Sequence, residues 1–456
     1  MTTPSSGRGA WGSRLGFVLA AAGSAIGLGN VWRFPTMAGK SGGAAFVLIY
    51  LLCVLFIGLP VLLAELTVGR RTQKNPVGAF ERLAPETGWR WVGALGVLTG
   101  VVILSYYSVV AGWTIGYIVE TLSGTFNNIQ SPDAVTRAFT GLIGNPVVAL
   151  ALHALFMALT MFVVLGGVQG GIERWTKILM PVLFLILILL VIRSVTLDGA
   201  EKGLSFYLKP DFSQVTGTTF LNAMGQAFFS LSLGMGAMIT YGSYLSRRDD
   251  LVSSAVWVSL ADTLIAVLAG FAIFPALFTI PGLEPTEGAG LVFLVLPNIF
   301  DKIPGGLFFG AGFFLLLAIA ALTSSISLLE VVVAYFIDEK GWTRRRAVIV
   351  LGSVAFLLGV PSALGNGAVA ALSRLPVVNQ SFLDFMDMLF GNFSLTIGAL
   401  LLSLFVGWRW GTGRALEEIR LSNPETWFGR LWALLIRFLC PLAIGAILVN
   451  LILETI

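Results

Sequence analysis

Apolar residues gather into long runs along this chain, and polar residues return in short clusters between them. Runs of about 20 apolar residues are long enough to cross a bilayer as helices. Eleven such spans are predicted, at about 14–38, 42–69, 87–122, 147–167, 174–195, 218–246, 252–281, 305–338, 345–365, 379–407 and 428–454. Two of them are poorly suited to a continuous helix. In the first, the stretch Gly23-Ser24-Ala25-Ile26-Gly27-Leu28-Gly29-Asn30-Val31-Trp32-Arg33-Phe34-Pro35 weakens the helix at Gly27, Gly29 and Pro35 and puts Ser24, Asn30 and Arg33 at membrane depth. The sixth is interrupted at Phe228-Phe229-Ser230-Leu231-Ser232-Leu233-Gly234-Met235-Gly236. Opened backbone inside a membrane survives only against protein, water or a ligand. A Gly-rich packing helix with a snorkelling Arg33 is the plainer reading of the first stretch. A broken helix lining a binding site accounts for its polar residues as well.

Interruptions in the first and sixth spans predict two five-span repeats, and because five is odd the second is inverted relative to the first. Discontinuous helices of inverted repeats, meeting at the bilayer midplane, are the pattern of secondary transporters. The expected fold is therefore an all-α polytopic membrane protein. It divides into a tail (1–13), a first repeat (14–205), an inverted second repeat (206–410) and a segment holding the eleventh helix (411–456).

Charge sets the orientation. Of 456 residues 56% are hydrophobic and 11% charged, about half the charged share of a soluble domain. The formal net charge of +4 resides in short loops and gives no reason to expect nucleic acid as a partner; the lipid bilayer is the expected one. Arg8 and Arg14 precede the first span, and Arg70, Arg71, Lys74 and Arg82 follow the second. The clusters at 174–177, 247–248, 344–346 and 409–420 fall on the same side. Basic loops stay in the cytoplasm, which puts the N-terminus inside and the C-terminus outside. The first apolar run reads as a retained span, not a signal peptide, because of its polar break. Cys53, Cys440 and His153 all lie in apolar spans, as packing residues.

Some polar groups invite chemistry. Ala320-Ala321-Leu322-Thr323-Ser324-Ser325 puts three hydroxyls in a row in the eighth span. Hydroxyls with freed carbonyls supply the oxygen ligands that hard cations need. A carboxylate within a span is a functional candidate, and Asp262 is the strongest; Glu65 and Glu330 lie nearer span ends, where they can also cap or clamp. Asp384 and Asp387 open the tenth span, with Asp387 placed to meet Arg33. Tyr107 offers a hydroxyl in the third. No nucleophile–base pair, zinc set or phosphate loop is present, so the sequence does not read as an enzyme.

With these residues in view, the sequence resembles the neurotransmitter:sodium symporter family, in particular its bacterial amino-acid transporters of eleven spans. The resemblance rests on the 23–35 stretch, Ser105-Tyr106-Tyr107, Gly170-Gly171-Ile172-Glu173-Arg174, Gly225-Gln226-Ala227-Phe228-Phe229-Ser230-Leu231-Ser232 and Leu322-Thr323-Ser324-Ser325, in that order. It implies two sodium ions. One would be held by Ala25, Asn30, Ser230 and Asp262 beside the substrate, the other by Gly23, Ile26, Ala320, Thr323 and Ser324. The substrate carboxylate would lie at Leu28 and Gly29 with Tyr107 donating, and its ammonium at carbonyls around Ala25, Phe229 and Ser232. Ser24, Ile103, Phe229, Met235 and Leu328 would set the side-chain preference, with Ser230 and Ser324 bordering the same site.

The same resemblance assigns gates. Arg33 with Asp387 would close the outside under Phe229, and Arg8 with Asp338 the inside, with Trp11 packed below and Tyr244 nearby. Gly171 and Pro181 would form a hinge that unwinds to release sodium inward; the plainer alternative for Pro181 is an ordinary kink. Residues 288–300 resemble the outer lid. Chloride-dependent members carry a serine where Ala266 stands, while Tyr50, Gln226 and Ser230 of the chloride pattern remain, so chloride-independent transport is expected. Many members also have a twelfth span, which leaves the oligomeric state open. Met235 stands where leucine-selective relatives carry a bulkier phenylalanine. The expectation is sodium-coupled uptake of branched or aromatic L-amino acids across a bacterial inner membrane. The alternatives are symport of another small zwitterion or amine, or an amino-acid sensor or channel on the same fold.

Overall fold

The structure is a computed structural model that describes residues 9–127, 129, 132–279, 291–376 and 378–455. Among the described residues nine helices and one bent pair are long and apolar enough to cross a membrane, and with the broken segment Gly217–Ser230 continued by Ala237–Gly242 they make eleven segments: Arg14–Ala25 continued after a bend by Gly29–Lys40, Ala44–Thr72, Arg90–Leu122, Pro146–Leu165, Val168–Val195, Gly217–Ser230 continued by Ala237–Gly242, Leu251–Leu277, Gly306–Lys340, Arg344–Leu364, Phe382–Arg409 and Gly429–Thr455. They are numbered spans 1 to 11 in this order. Local signals start several of them. Ser13, Asn145, Asp250 and Thr343 each accept a backbone N–H of the first turn with a side-chain oxygen, satisfying donors that the helix cannot.

Both interruptions are present. The two halves of span 1 meet at 56°, with Ile26 in an extended conformation between them. Span 6 is non-helical between Ser230 and Ala237, where Ser232, Gly234 and Gly236 all have positive φ. Gly234 permits close approach: a Cβ there would sit 2.3 Å from the Leu395 carbonyl oxygen of span 10. Ser232 is a serine in a left-handed conformation, which costs on the order of 1 kcal/mol. Its hydroxyl donates to the Ser24 carbonyl at 2.8 Å, so each opened helix satisfies part of the other.

Spans 3 and 8 pack against each other along their length and, with the broken spans, enclose the centre of the molecule. Three boundaries differ from the sequence expectation by four residues or more. Span 5 begins at Val168, not at 174, through a wide turn over Val168–Glu173. Glycines at 170 and 171 disfavour a helix intrinsically, but span 4 overrides this: a Cβ on Gly171 would lie 2.0 Å from the Val163 carbonyl oxygen. The second half of span 6 ends at Gly242 and continues as turns, not as helix to 246. Span 7 ends at Leu277, where Phe278 caps it; residues 280 and 281 lie outside the described residues.

Candidate functional site

The break in span 1 leaves carbonyls without helical partners. Asn30 closes the opened turn by accepting the Gly27 N–H on Oδ1 at 3.0 Å. Its Nδ2 donates to Ser230 Oγ at 2.9 Å and to Asp262 Oδ1 at 2.7 Å. Ser230 in turn donates to Asp262 Oδ2 at 2.7 Å, and the Tyr50 hydroxyl lies 3.5 Å from the same oxygen. Asn30, Ser230, Asp262 and Tyr50 are all buried. Among the described residues no lysine or arginine pairs with Asp262. The carboxylate is held by neutral donors alone.

A second oxygen-rich cluster lies where span 1 meets span 8. Ser324 Oγ is within 3.3 Å of three carbonyl oxygens, those of Ser24, Ile26 and Ala320. A hydroxyl has one proton, so acceptors outnumber donors there, the arrangement a hard cation favours. Thr323 Oγ1 approaches the Ala320 carbonyl at 3.0 Å. Gly23 faces it: a Cβ on Gly23 would sit 3.1 Å from Thr323 Cβ and equally close to Met180 Sδ of span 5. All five residues expected at the second ion come together here. Ala25, the fourth residue of the first set, borders the central cavity.

That cavity, about 60 Å³, is lined by all twelve residues named above as substrate contacts. Gly27, Asn30, Tyr106, Ser327, Asp387 and Leu395 line it as well. Ser24 points away from the broken turn to donate to Ser327 at 2.7 Å. The Leu28 N–H donates to the Tyr107 hydroxyl at 3.2 Å. Above lies a vestibule of about 450 Å³ that shares Leu28, Gly29, Tyr106, Tyr107, Phe229 and Asp387 with the cavity. Arg33 and Asp387, the pair expected at the outer gate, both line it, and no ion pair joins them here. The guanidinium is instead 4.6 Å above the Phe229 ring, and Asp387 accepts the Tyr106 hydroxyl at 2.9 Å. Each of the two residues thus has another partner in this structure.

At the other end the described residues pack together. Trp11 donates to the Tyr241 carbonyl at 3.0 Å and packs edge-on against Phe17, Tyr241 and Tyr244. Arg8 lies outside the described residues. Asp338 accepts both the backbone N–H and the side-chain amide of Asn75, at 2.9 and 3.2 Å. Tyr244 donates to Glu330 at 2.7 Å, and the same carboxylate takes the Arg344 fork at 2.7 and 2.8 Å. Glu65 accepts the Gly234 N–H at 2.7 Å, holding the open part of span 6. Span 5 is helical from Gly171 through Pro181, so the hinge pair sits in a wound helix. Glu173, read only as part of a motif, accepts Gly12 N–H at 2.7 Å, Ser13 Oγ at 2.8 Å and Lys177 Nζ at 2.6 Å. It straps the start of span 1 to span 5. Of the lid segment, 291–300 is helical and 288–290 lies outside the described residues; Tyr117 donates to the Phe293 carbonyl at 2.8 Å.

Two broken helices meeting at an oxygen-lined cavity between inverted repeats define a secondary transporter. The model of the sodium:neurotransmitter symporter family matches residues 8–137 and 138–455. The sodium-dependent transporter YhdH of Bacillus subtilis is 43% identical over 443 residues, 97% of each chain. A sodium-dependent transporter of Haemophilus influenzae is 39% identical over 461 residues, 99% of each. The crystal structure of MhsT in complex with L-phenylalanine is 47% identical with a TM-score of 0.88, over 98% of this chain and 100% of that one. This chain belongs to the sodium:neurotransmitter symporter family. It is a sodium-dependent, multi-pass membrane transporter and not an enzyme.

Proposed function

We propose that the protein couples two sodium ions to the uptake of hydrophobic L-amino acids, without chloride, by alternating access around the central cavity. The observation that carries this reading is Asp262. A carboxylate wholly buried at membrane depth without a cationic side chain is costly, and a bound monovalent cation offsets that cost. Sodium would bind among Ala25 O, Asn30, Ser230 and Asp262, with the Asn30 amide turning its oxygen to the ion. The fixed negative charge also does the work that a bound chloride would otherwise do. The second ion would bind among Gly23, Ile26, Ala320, Thr323 and Ser324, where acceptors outnumber protons.

The substrate carboxylate would meet the N–H groups of Leu28 and Gly29, at the start of the second half of span 1, where the helix dipole favours an anion. Tyr107, released from Leu28, would donate to it. Ile103, Phe229, Met235 and Leu328 make the remaining wall apolar, which excludes an unpaired charged side chain. The relative solved with L-phenylalanine supports an apolar substrate, and Met235 is flexible enough to fit branched and aromatic ones. Arg33 and Asp387 would close over the bound substrate. Arg8, Asp338, Trp11 and Tyr244 would part inward as Gly171 and Pro181 unwind. The repeats would be 14–205 and 206–410, followed by 411–456 and preceded by a cytoplasmic tail at 1–13, in a bacterial inner membrane.

The test is uptake of radiolabelled L-leucine and L-tryptophan into proteoliposomes under a sodium gradient, with gluconate replacing chloride. Uptake should need sodium, ignore chloride, and fail in Asp262→Ala and Thr323→Ala. Sodium-independent uptake, or a chloride requirement, would overturn the reading.

A further inference from the structure

Arg437 is an arginine on the membrane-facing surface. It lies eight residues beyond Gly429, the start of span 11, which is about 12 Å along the helix, and its side chain is exposed. Among the described residues no carboxylate pairs with it. Its neighbours are aromatic: the guanidinium carbon is 4.3 Å above the Trp408 ring and 5.6 Å from the centre of Phe438. Trp408 is the penultimate residue of span 10 (Phe382–Arg409), so the stacked guanidinium lies at the membrane boundary. An arginine side chain directed toward the start of its own helix reaches that level by snorkelling.

The platform is fixed to its partner helix. Trp408 Nε1 donates to the Arg437 carbonyl at 3.0 Å. Gly407 brings the two backbones together, since a Cβ there would sit 3.1 Å from Arg437 Cα. Stacking uses the flat face of a guanidinium and leaves its five N–H donors around the edge. Those donors are free to meet an anionic acceptor at the interface. Leu434, Phe438 and Leu442, all exposed, continue the same surface toward the membrane interior. A tetrahedral anion joined to an acyl chain fits both parts.

We infer that Arg437, stacked on Trp408, binds the phosphate of an anionic phospholipid whose acyl chain lies along Leu434, Phe438 and Leu442. Clusters of basic side chains between membrane helices bind such headgroups, and the exposed Arg409 beside Trp408 adds positive charge to the rim.

The test uses the full chain, purified in detergent and mixed with phosphatidylglycerol or phosphatidylcholine, with retained lipid counted by native mass spectrometry. The wild type should retain phosphatidylglycerol about fivefold better than phosphatidylcholine, the factor of one interfacial cation. Arg437→Gln should abolish that preference. Arg437→Lys, which keeps the charge but not the planar fork, should reduce it. Arg420→Gln, at an exposed arginine elsewhere, should leave it intact. An unchanged preference in both Arg437 variants, or an equal loss in Arg420→Gln, would overturn the site. Inorganic phosphate is added in a further arm: retention should persist, and displacement of the lipid would assign the site to a soluble anion instead.

Discussion

At the scale of single residues, adjacent positions on one helix do different work. Tyr107 takes the Leu28 N–H while Tyr106 holds Asp387, because consecutive helical side chains diverge by about 100°. The motif contains both tyrosines, but not which of them reaches span 10. Ser327 and Leu395 were equally hidden, since only the rotation of spans 8 and 10 turns them to the cavity. Asp262 was legible, because a carboxylate inside an apolar run is conspicuous wherever its helix faces. Asp262→Asn keeps the hydrogen-bonding shape and removes the charge, which isolates the electrostatic role. Removing one partner of a buried ion pair costs about 3–5 kcal/mol. Sodium-dependent substrate binding, measured by scintillation proximity, should therefore need about 100-fold more sodium or more. An unchanged sodium dependence would mean that Asp262 is structural. Gly29→Ala tests the cavity: its Cβ would lie 2.6 Å from Phe229 Cε1. Substrate affinity should fall while the protein still purifies folded, as a thermal-shift assay can show.

At the scale of elements, the spans were readable from hydrophobic run length to within a few residues, and both breaks from glycine and polar residues at membrane depth. Span 5 was read short because local propensity at Gly170 and Gly171 says nothing about span 4 needing room beside them. The Glu173 strap was not legible at all, since Gly12 and Glu173 lie 161 positions apart. That strap leads to a prediction about the hinge. The carboxylate bonds the capped start of span 1 two residues beyond Gly171, so winding of span 5 and docking of span 1 depend on each other. Gly16 packs directly on it, as a Cβ there would lie 2.1 Å from Glu173 Oε1. Glu173→Gln loses the Lys177 ion pair and weakens the bonds to Gly12 and Ser13. Charge-assisted bonds contribute about 1.5–3 kcal/mol each, enough to shift a two-state equilibrium at least tenfold. A cysteine introduced at Met180, against Gly23, should react faster with a membrane-impermeant thiol reagent from the N-terminal side in this variant, in a Cys53→Ala, Cys440→Ala background. An equal rate would assign the strap to stability alone.

At the scale of the whole molecule, each oxygen-rich cluster joins the two repeats. Asn30 of span 1 meets Ser230 and Asp262 of spans 6 and 7, and the Ile26 carbonyl of span 1 meets Ser324 of span 8. An ion bound in either cluster would favour the arrangement that keeps those spans together at that point, and in the proposed alternating-access cycle it would bias the equilibrium by its differential affinity for the two states. With a zwitterionic substrate the transported charge is that of the ions, and each moving charge is worth about 2.3 kcal/mol per 100 mV. The number of ions can then be read from a voltage. With equal sodium on both sides of a proteoliposome, a tenfold substrate gradient should be balanced by about 30 mV if two charges move with each molecule and by about 59 mV if only one does. Two clusters built from separate residue sets predict the lower value. Thr323→Ala, which removes a hydroxyl from the second cluster alone, should move the balance toward the higher value wherever residual transport is measurable. A wild-type balance near 59 mV would mean that a single net charge crosses per cycle, and two-ion symport without a returning cation would be wrong.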